Sequence, residues 1–203
     1  MMCKSGRPSV VNLSELQLPN RLDVLNTSGA RAMGELWWMM SEIKDIAYRS
    51  HDDRFHVVVS HAAIEAIVCA CVDAGRKETG GILIGRIEPD GQTAIVLEAT
   101  PKPPDSSFGW FWFRRGAKGL KQVLEDRWSV GHHYLGEWHF HPGGSSQPSG
   151  SDYIAMAKIA RDRRYQMPEP ILVILGGRPP HQWEMSVAVV PRGEAPCPMI
   201  LTL

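Results

Sequence analysis

Residues 136–152, GEWHFHPGGSSQPSGSD, hold two histidines, a serine and a carboxylate in a stretch otherwise rich in glycine, serine and proline. Side chains two apart on a strand point to the same side. His139 and His141 therefore present two imidazoles toward one point, while Trp138 and Phe140 face the other way, into a core. Pro142 ends the strand, and the loop after it has room to turn back. Asp152, eleven residues after His141, opens the next helix and can bring a carboxylate toward the pair. Two His, one Asp and one water make an open tetrahedral zinc site of the catalytic kind.

The same residues admit a plainer reading. A His-x-His pair alone is more often surface-exposed or hydrogen-bonded than metal-bound, and Ser149 with Asp152 fits an S-x-x-D capping box. A cap and a ligand are not exclusive. Other His-x-His metal families fit poorly. A metallo-β-lactamase pattern wants Asp and then His shortly after the pair, where Pro142 and Gly143 stand. A cupin wants Glu after three or four intervening residues, where Ser145 and Ser146 stand.

These residues need elements to position them. HYLGEWHFH reads as a strand and SDYIAMAKIARD as the helix that carries Asp152. FHVVVS is a β-branched strand. HAAIEAIVCACVDAG is a helix stopped at Gly75. GGILIGRI and TAIVLEAT are strands joined by a turn at Pro89–Gly91, and PILVILGG and QWEMSVAVVP are two more. KPPDSS is a loop, FGWFWF reads as extended, and GAKGLKQVLEDRWS is a helix with Leu120, Val123, Leu124 and Trp128 on one side. Residues 1–28 read as loop-like. From Ala30 to Arg49, Met33, Leu36, Trp37, Met40, Ile43 and Ala47 recur at helical spacing. That spacing predicts an amphipathic helix whose stripe is buried on its own domain or on a partner. HDDR at 51–54 is a break. Alternating strands and helices without a Rossmann glycine pattern favour a mixed α/β sandwich.

Composition removes several classes of function. Lys plus Arg equals Asp plus Glu, 22 each, which is not the footprint of a nucleic-acid binder. No apolar run approaches the roughly 18–20 residues that span a bilayer, and the N-terminus lacks the apolar centre of a signal peptide. A cytoplasmic protein is the expectation. Cys3, Cys69, Cys71 and Cys197 form no C-x-x-C pair and read as reduced thiols, two of them small core residues.

The spacing His139-Phe-His141, seven residues, Ser149, two residues, Asp152 resembles the H-x-H-x7-S-x2-D signature of the JAMM (JAB/MPN+) zinc metalloproteases. That family also carries an upstream glutamate in a segment similar to ETGGILIG, which stands here at Glu78–Gly85. The resemblance spans about Phe55 to Pro191. YLGEWHFHP is similar to the prokaryotic JAB branch, in which G-E-W-H-x-H-P is typical. Members of that branch accompany ubiquitin-activating-like and conjugating-like enzymes in bacterial anti-phage operons, CBASS systems among them. One position departs from the pattern: Phe140 stands where Thr or Ser is common, and by strand alternation it should affect packing rather than ligation.

The resemblance implies a cytidine-deaminase-like α/β (α+β) fold, a mixed sheet flanked by helices, over residues 55–192. An N-terminal helical extension at 1–54 and a tail at 193–203 would flank it. It implies one Zn²⁺ per chain held by His139, His141 and Asp152, with Glu78 as general base turned general acid and Ser149 as hydrogen-bond donor to the oxyanion. Glu137 falls on the histidine side of the strand, and its role would be at most to support the ligands. The reaction implied is cleavage after the C-terminal glycine of a ubiquitin-like protein. The partners implied are that protein and its conjugates, together with the conjugating enzymes. Segments 100–115 and 143–150 are the expected walls of the groove, with Arg114 and Arg115 available to acidic groups. Two other readings stand beside this one: a peptidase acting on a sulfur-carrier protein of cofactor biosynthesis, and a metal-free MPN scaffold.

Overall fold

The structure is a computed structural model that describes residues 11–12, 44–102, 107–108, 113–114 and 119–202. In chain order the strands and helices are β1 (Val11–Asn12), β2 (Ile46–Arg49), β3 (His56–Val59), α1 (His61–Ala74), β4 (Thr79–Ile87) and β5 (Thr93–Ala99). They continue with β6 (Ser107–Phe108), β7 (Phe113–Arg114), α2 (Leu120–Trp128), β8 (His133–Pro142), α3 (Gly150–Arg161), β9 (Ile171–Arg178), β10 (Gln182–Val189), β11 (Cys197–Pro198) and β12 (Ile200–Thr202).

Ten strands form one mixed sheet in the order β1-β10-β9-β8-β4-β5-β3-β2-β12, with β11 also on β10. The β8–β9 and β3–β5 pairs are parallel and the others antiparallel. β4, β8 and β9 lie inside the sheet, so their apolar runs are buried on both faces: Ile82, Leu83, Ile84, Leu135, Trp138 and Leu172–Leu175 all belong to the core. Such continuous runs are what central strands require. α1 buries Ala63, Ile64, Ile67, Val68 and Cys71, a stripe at helical spacing, and packs across β4, β5 and β8. Ser60 caps its start by accepting the Ala63 N–H. Gly75, at φ 62°, ends it by donating back to the Cys71 and Val72 carbonyls.

The ETGG sequence has a packing reason. A Cβ at Gly81 would stand 2.7 Å from Trp138 Nε1 and collide with the Thr100 carbonyl oxygen. Only glycine lets the indole N–H reach that carbonyl, at 2.9 Å.

The mixed α/β expectation and the strands around the histidines are found as read. Four readings are corrected. Within 1–28, read as loop-like, Val11–Asn12 is a strand paired with β10. Ile46–Arg49 is not the end of a helix but a strand, paired with β3 on one side and β12 on the other. The rest of that stripe, Met33 to Ile43, lies outside the described residues. Phe108 and Phe113 are register partners on the short antiparallel β6–β7 ladder instead of succeeding one another along a single strand; residues 109–112 lie outside the described residues, as does Arg115. Trp128 leaves the apolar side of α2 and is 62% exposed, edge-on to His133, whereas Leu120, Val123 and Leu124 pack on the core. Residues Cys197–Thr202 supply two sheet strands, and Met199 is buried between them. Cys71 is buried and Cys69 only half-buried, both free thiols.

Candidate active site

β4 and β8 are antiparallel neighbours, with Gly80 opposite His139 and Thr79 opposite Phe140. One more step along that register sets Glu78 across from His141, at the mouth of the two strands. Trp138 and Phe140 are fully buried on the far face, as alternation requires. Phe140 is therefore a core residue and does not face the histidines.

Pro142 closes β8, and Gly143 takes φ 68° to turn the chain back. The turn is fastened by Gly143 N–H to the Gly177 carbonyl at 2.6 Å and by Gly144 N–H to the His141 carbonyl at 3.1 Å. The chain then reaches Ser149, the N-cap of α3, where the expected capping box is complete: Ser149 Oγ accepts the Asp152 N–H, and the Ser149 N–H donates to Asp152 Oδ2 at 2.7 Å. Capping at this position also puts a carboxylate in the first helical turn, where the helix dipole favours it.

The Asp152 carboxylate lies between the two imidazoles. Its Oδ1 is 3.0 Å from His139 Nδ1, and its Oδ2 is 3.7 Å from His141 Nε2. The Ser149 hydroxyl donates to Oδ2 at 2.6 Å and stands 2.7 Å from the Ser151 hydroxyl. His139 Nε2 is 3.8 Å from Glu137 Oε2. Burial alone would raise the Asp152 pKa, but bonds from His139 and Ser149 prevail and hold it at about 2. Burial alone would lower that of His139; its contacts with Asp152 and Glu137 prevail and raise it to about 9. Glu78 is half-buried, and burial raises its carboxyl above the usual range. The His141 and His139 charges oppose that rise and Asp152 adds to it. All three thus share one electrostatic environment with Glu78.

The donor chemistry can be compared with that of a metal ion. Donors roughly 2.1 Å from a tetrahedral zinc stand about 3.4 Å apart. The 3.7 Å from His141 Nε2 to Asp152 Oδ2 is close to that value, whereas the 3.0 Å from His139 Nδ1 to Asp152 Oδ1 is a hydrogen bond. His141 Nδ1 is 3.1 Å from the Ser145 carbonyl, which only accepts, so Nδ1 donates there and the Nε2 edge of the ring faces Asp152. That is the outer partner a metal-binding histidine normally has. His139 is turned instead into its hydrogen bond with Asp152 Oδ1. Accordingly, no group of three His, Cys, Asp or Glu side chains among the described residues converges as a finished ligand cluster. Two imidazoles, one carboxylate and fixed outer partners nevertheless fit a zinc-like ion by chemistry.

The structure brings together His139, His141, Asp152, Ser149 and Glu78. Sequence reasoning missed the Ser145 carbonyl and the Ser151 hydroxyl. The first has no sequence signal, because every residue carries a carbonyl. The second stood two residues after Ser149 and within reach of its hydroxyl. Of the expected groove walls, 143–150 borders the site; most of 100–115 lies outside the described residues.

Comparison with known proteins points the same way. Residues 60–188 match the family described as prokaryotic homologs of the JAB domain. The chain is 47% identical to a protein from Enterobacter hormaechei subsp. hoffmannii named CD-NTase/cGAS isopeptidase, over 76% of this chain and 86% of that one. It is 36% identical to a protein from Sinorhizobium fredii named as a probable metalloprotease, y4qB, over 25% of this chain and 34% of that one. A solution structure of a protein from Desulfitobacterium hafniense shares the fold, with a TM-score of 0.53 at 18% identity, covering 70% of this chain and 88% of that one.

Proposed function

Since the chain belongs to the prokaryotic JAB family, we propose that it is a zinc-dependent isopeptidase that cleaves after the C-terminal glycine of a ubiquitin-like modifier. The bond cut would join that glycine to a lysine amine of a CD-NTase/cGAS protein, the class printed in its relative's name. The setting would be a bacterial anti-phage conjugation system, with the conjugating enzymes as further partners. One observation carries the reading: a capped carboxylate, Asp152, shared between two strand-borne imidazoles, with Glu78 across the ladder.

His139, His141 and Asp152 would hold the zinc, which when bound supplies a polarised carbonyl and an acidified water. The chain's own residues do the rest. Glu78 does not ligate; its carboxylate, whose pKa burial raises, would accept a proton from the attacking water and deliver it to the leaving lysine amine. Ser149, at the lip of α3, holds Asp152 in place through its hydroxyl, whose one proton would turn from Asp152 Oδ2 to the oxyanion of the tetrahedral intermediate. Ser145 fixes the donor face of His141 through its carbonyl.

The test is mass spectrometry of the products formed from a ubiquitin-like protein joined by an isopeptide bond to a CD-NTase/cGAS protein. The expected products are a modifier ending in glycine and a target with its lysine restored. An intact conjugate after prolonged incubation with zinc-loaded protein would refute the assignment.

A further inference from the structure

Two strands beyond the histidines, the sheet carries a serine that the mechanism does not use. Residues opposite one another on neighbouring strands share a face. His139 pairs with Ile174, His141 with Gly176, and Ser186 on β10 with Ile174. Ser186 and Gly176 therefore lie on the same face as the two histidines, and the loop 143–146 folds back over them.

Three contacts fasten that loop. A Cβ at Gly176 would stand 2.5 Å from the Ser145 carbonyl carbon and 2.8 Å from the Gly144 oxygen, and would collide with Ser146 N. These are backbone atoms, so no side-chain rotation relieves the clash, and the loop rests directly on β9. Gly143 N–H holds the Gly177 carbonyl from the side. The Ser186 hydroxyl, nearly buried, donates to the carbonyl of Ser146, which is fully buried. Ser146 adjoins Ser145, whose carbonyl accepts His141 Nδ1–H.

We propose that Ser186 is a positioning residue of this site: with Gly176 beneath the loop, it fixes the Ser145 carbonyl and, through it, the tautomer and aim of His141. The proposal rests on His141 being a metal ligand. Ser186 touches neither substrate nor reacting atoms. It acts by holding the Ser145 carbonyl against His141 Nδ1, so that Nδ1 is the hydrogen-bonded nitrogen and the Nε2 edge is turned to Asp152.

Ser186→Ala deletes one oxygen and no carbon, so the packing around it is kept. Three measurements are made on wild type, S186A and S186T: the His141 tautomer by nitrogen-15 spectra of chelator-treated protein in alkaline buffer, zinc affinity by competition with a chelator, and thermal unfolding. In wild type His141 should carry its proton on Nδ1. In S186A part of the population should move to the Nε2–H form, and zinc affinity should fall about 10–100-fold. S186T, which keeps the hydroxyl, should restore both. Gly176→Ala, which displaces the same loop from below, should reproduce both S186A effects. Unchanged tautomer and zinc affinity in S186A, with or without a lower melting temperature, would overturn the proposal. A wild type that takes up no zinc while S186A still shifts the tautomer would remove the ligand reading and leave the loop clamp standing.

Discussion

Glutamine in place of Glu78 keeps the length of the side chain and removes its capacity to take a proton. Because Glu78 sits across the strand ladder from His141 and outside the carboxylate–imidazole contacts, E78Q should retain its zinc and lose turnover by at least about 10²-fold, the low end of general acid–base catalysis. Steady-state cleavage beside metal analysis checks this; wild-type turnover in E78Q would remove Glu78 from the mechanism. Ser149→Ala should act in two ways. Loss of an oxyanion donor lowers the rate by about 10²–10³-fold. Loss of the hydroxyl on Asp152 Oδ2 should also weaken zinc binding by at least about tenfold. A rate loss with unchanged affinity would show that Ser149 does not orient Asp152. At this scale the sequence was informative where side-chain identity carries the chemistry: strand alternation placed His139 and His141 together, and S-x-x-D placed Asp152. It was silent on Ser145 and Ser146, whose contributions are backbone carbonyls.

Between the elements, Gly81 and the C-terminal strands make separate predictions. A methyl group at Gly81 meets Trp138 Nε1 and the Thr100 carbonyl, so Gly81→Ala should cost about 1–3 kcal/mol by overpacking. At roughly 2–4 °C per kcal/mol for a chain of this size, thermal unfolding resolves that loss; an unchanged melting temperature would mean that β4 and β8 can separate there without cost. Deleting residues 196–203 removes β11 and β12, bares the edge of β2 and empties the buried site of Met199. Emptying such a site costs about 2–5 kcal/mol, so the truncated chain should melt several degrees lower. Equal stability would show that these strands are not part of the cooperative unit. α1, β4, β8 and α3 were legible because their periodicity and caps are local. β2 was not: Ile46–Arg49 continues the helical spacing of the preceding residues, and what makes it a strand is pairing with β3 on one side and with Ile200–Thr202, about 150 residues away, on the other. Trp128 obeyed the period of its helix but reached beyond the core against which Leu120 and Leu124 are half-buried.

Over the whole molecule, the central strands are bound into the core along most of their length, and one of their two less buried ends bears Glu78, His139 and His141. A rigid sheet thus holds three of the functional groups, while a capped helix and a fastened loop bring Asp152 and Ser149 to them. Lys plus Arg balances Asp plus Glu, and among the described residues no helix is long and apolar enough to cross a membrane. The fold was legible because a mixed sheet follows from alternating periodicities. The modifier was not, because its recognition depends on surface shape that no spacing encodes. The central claim is that His139, His141 and Asp152 form a metal centre worked by Glu78. It is tested most directly by zinc stoichiometry, measured side by side on wild type, E78Q and D152A after zinc loading and removal of excess. Wild type and E78Q should hold about one zinc per chain and D152A little, since two ligands rarely retain the ion. A wild type that holds none, or a D152A that holds as much as wild type, would contradict it.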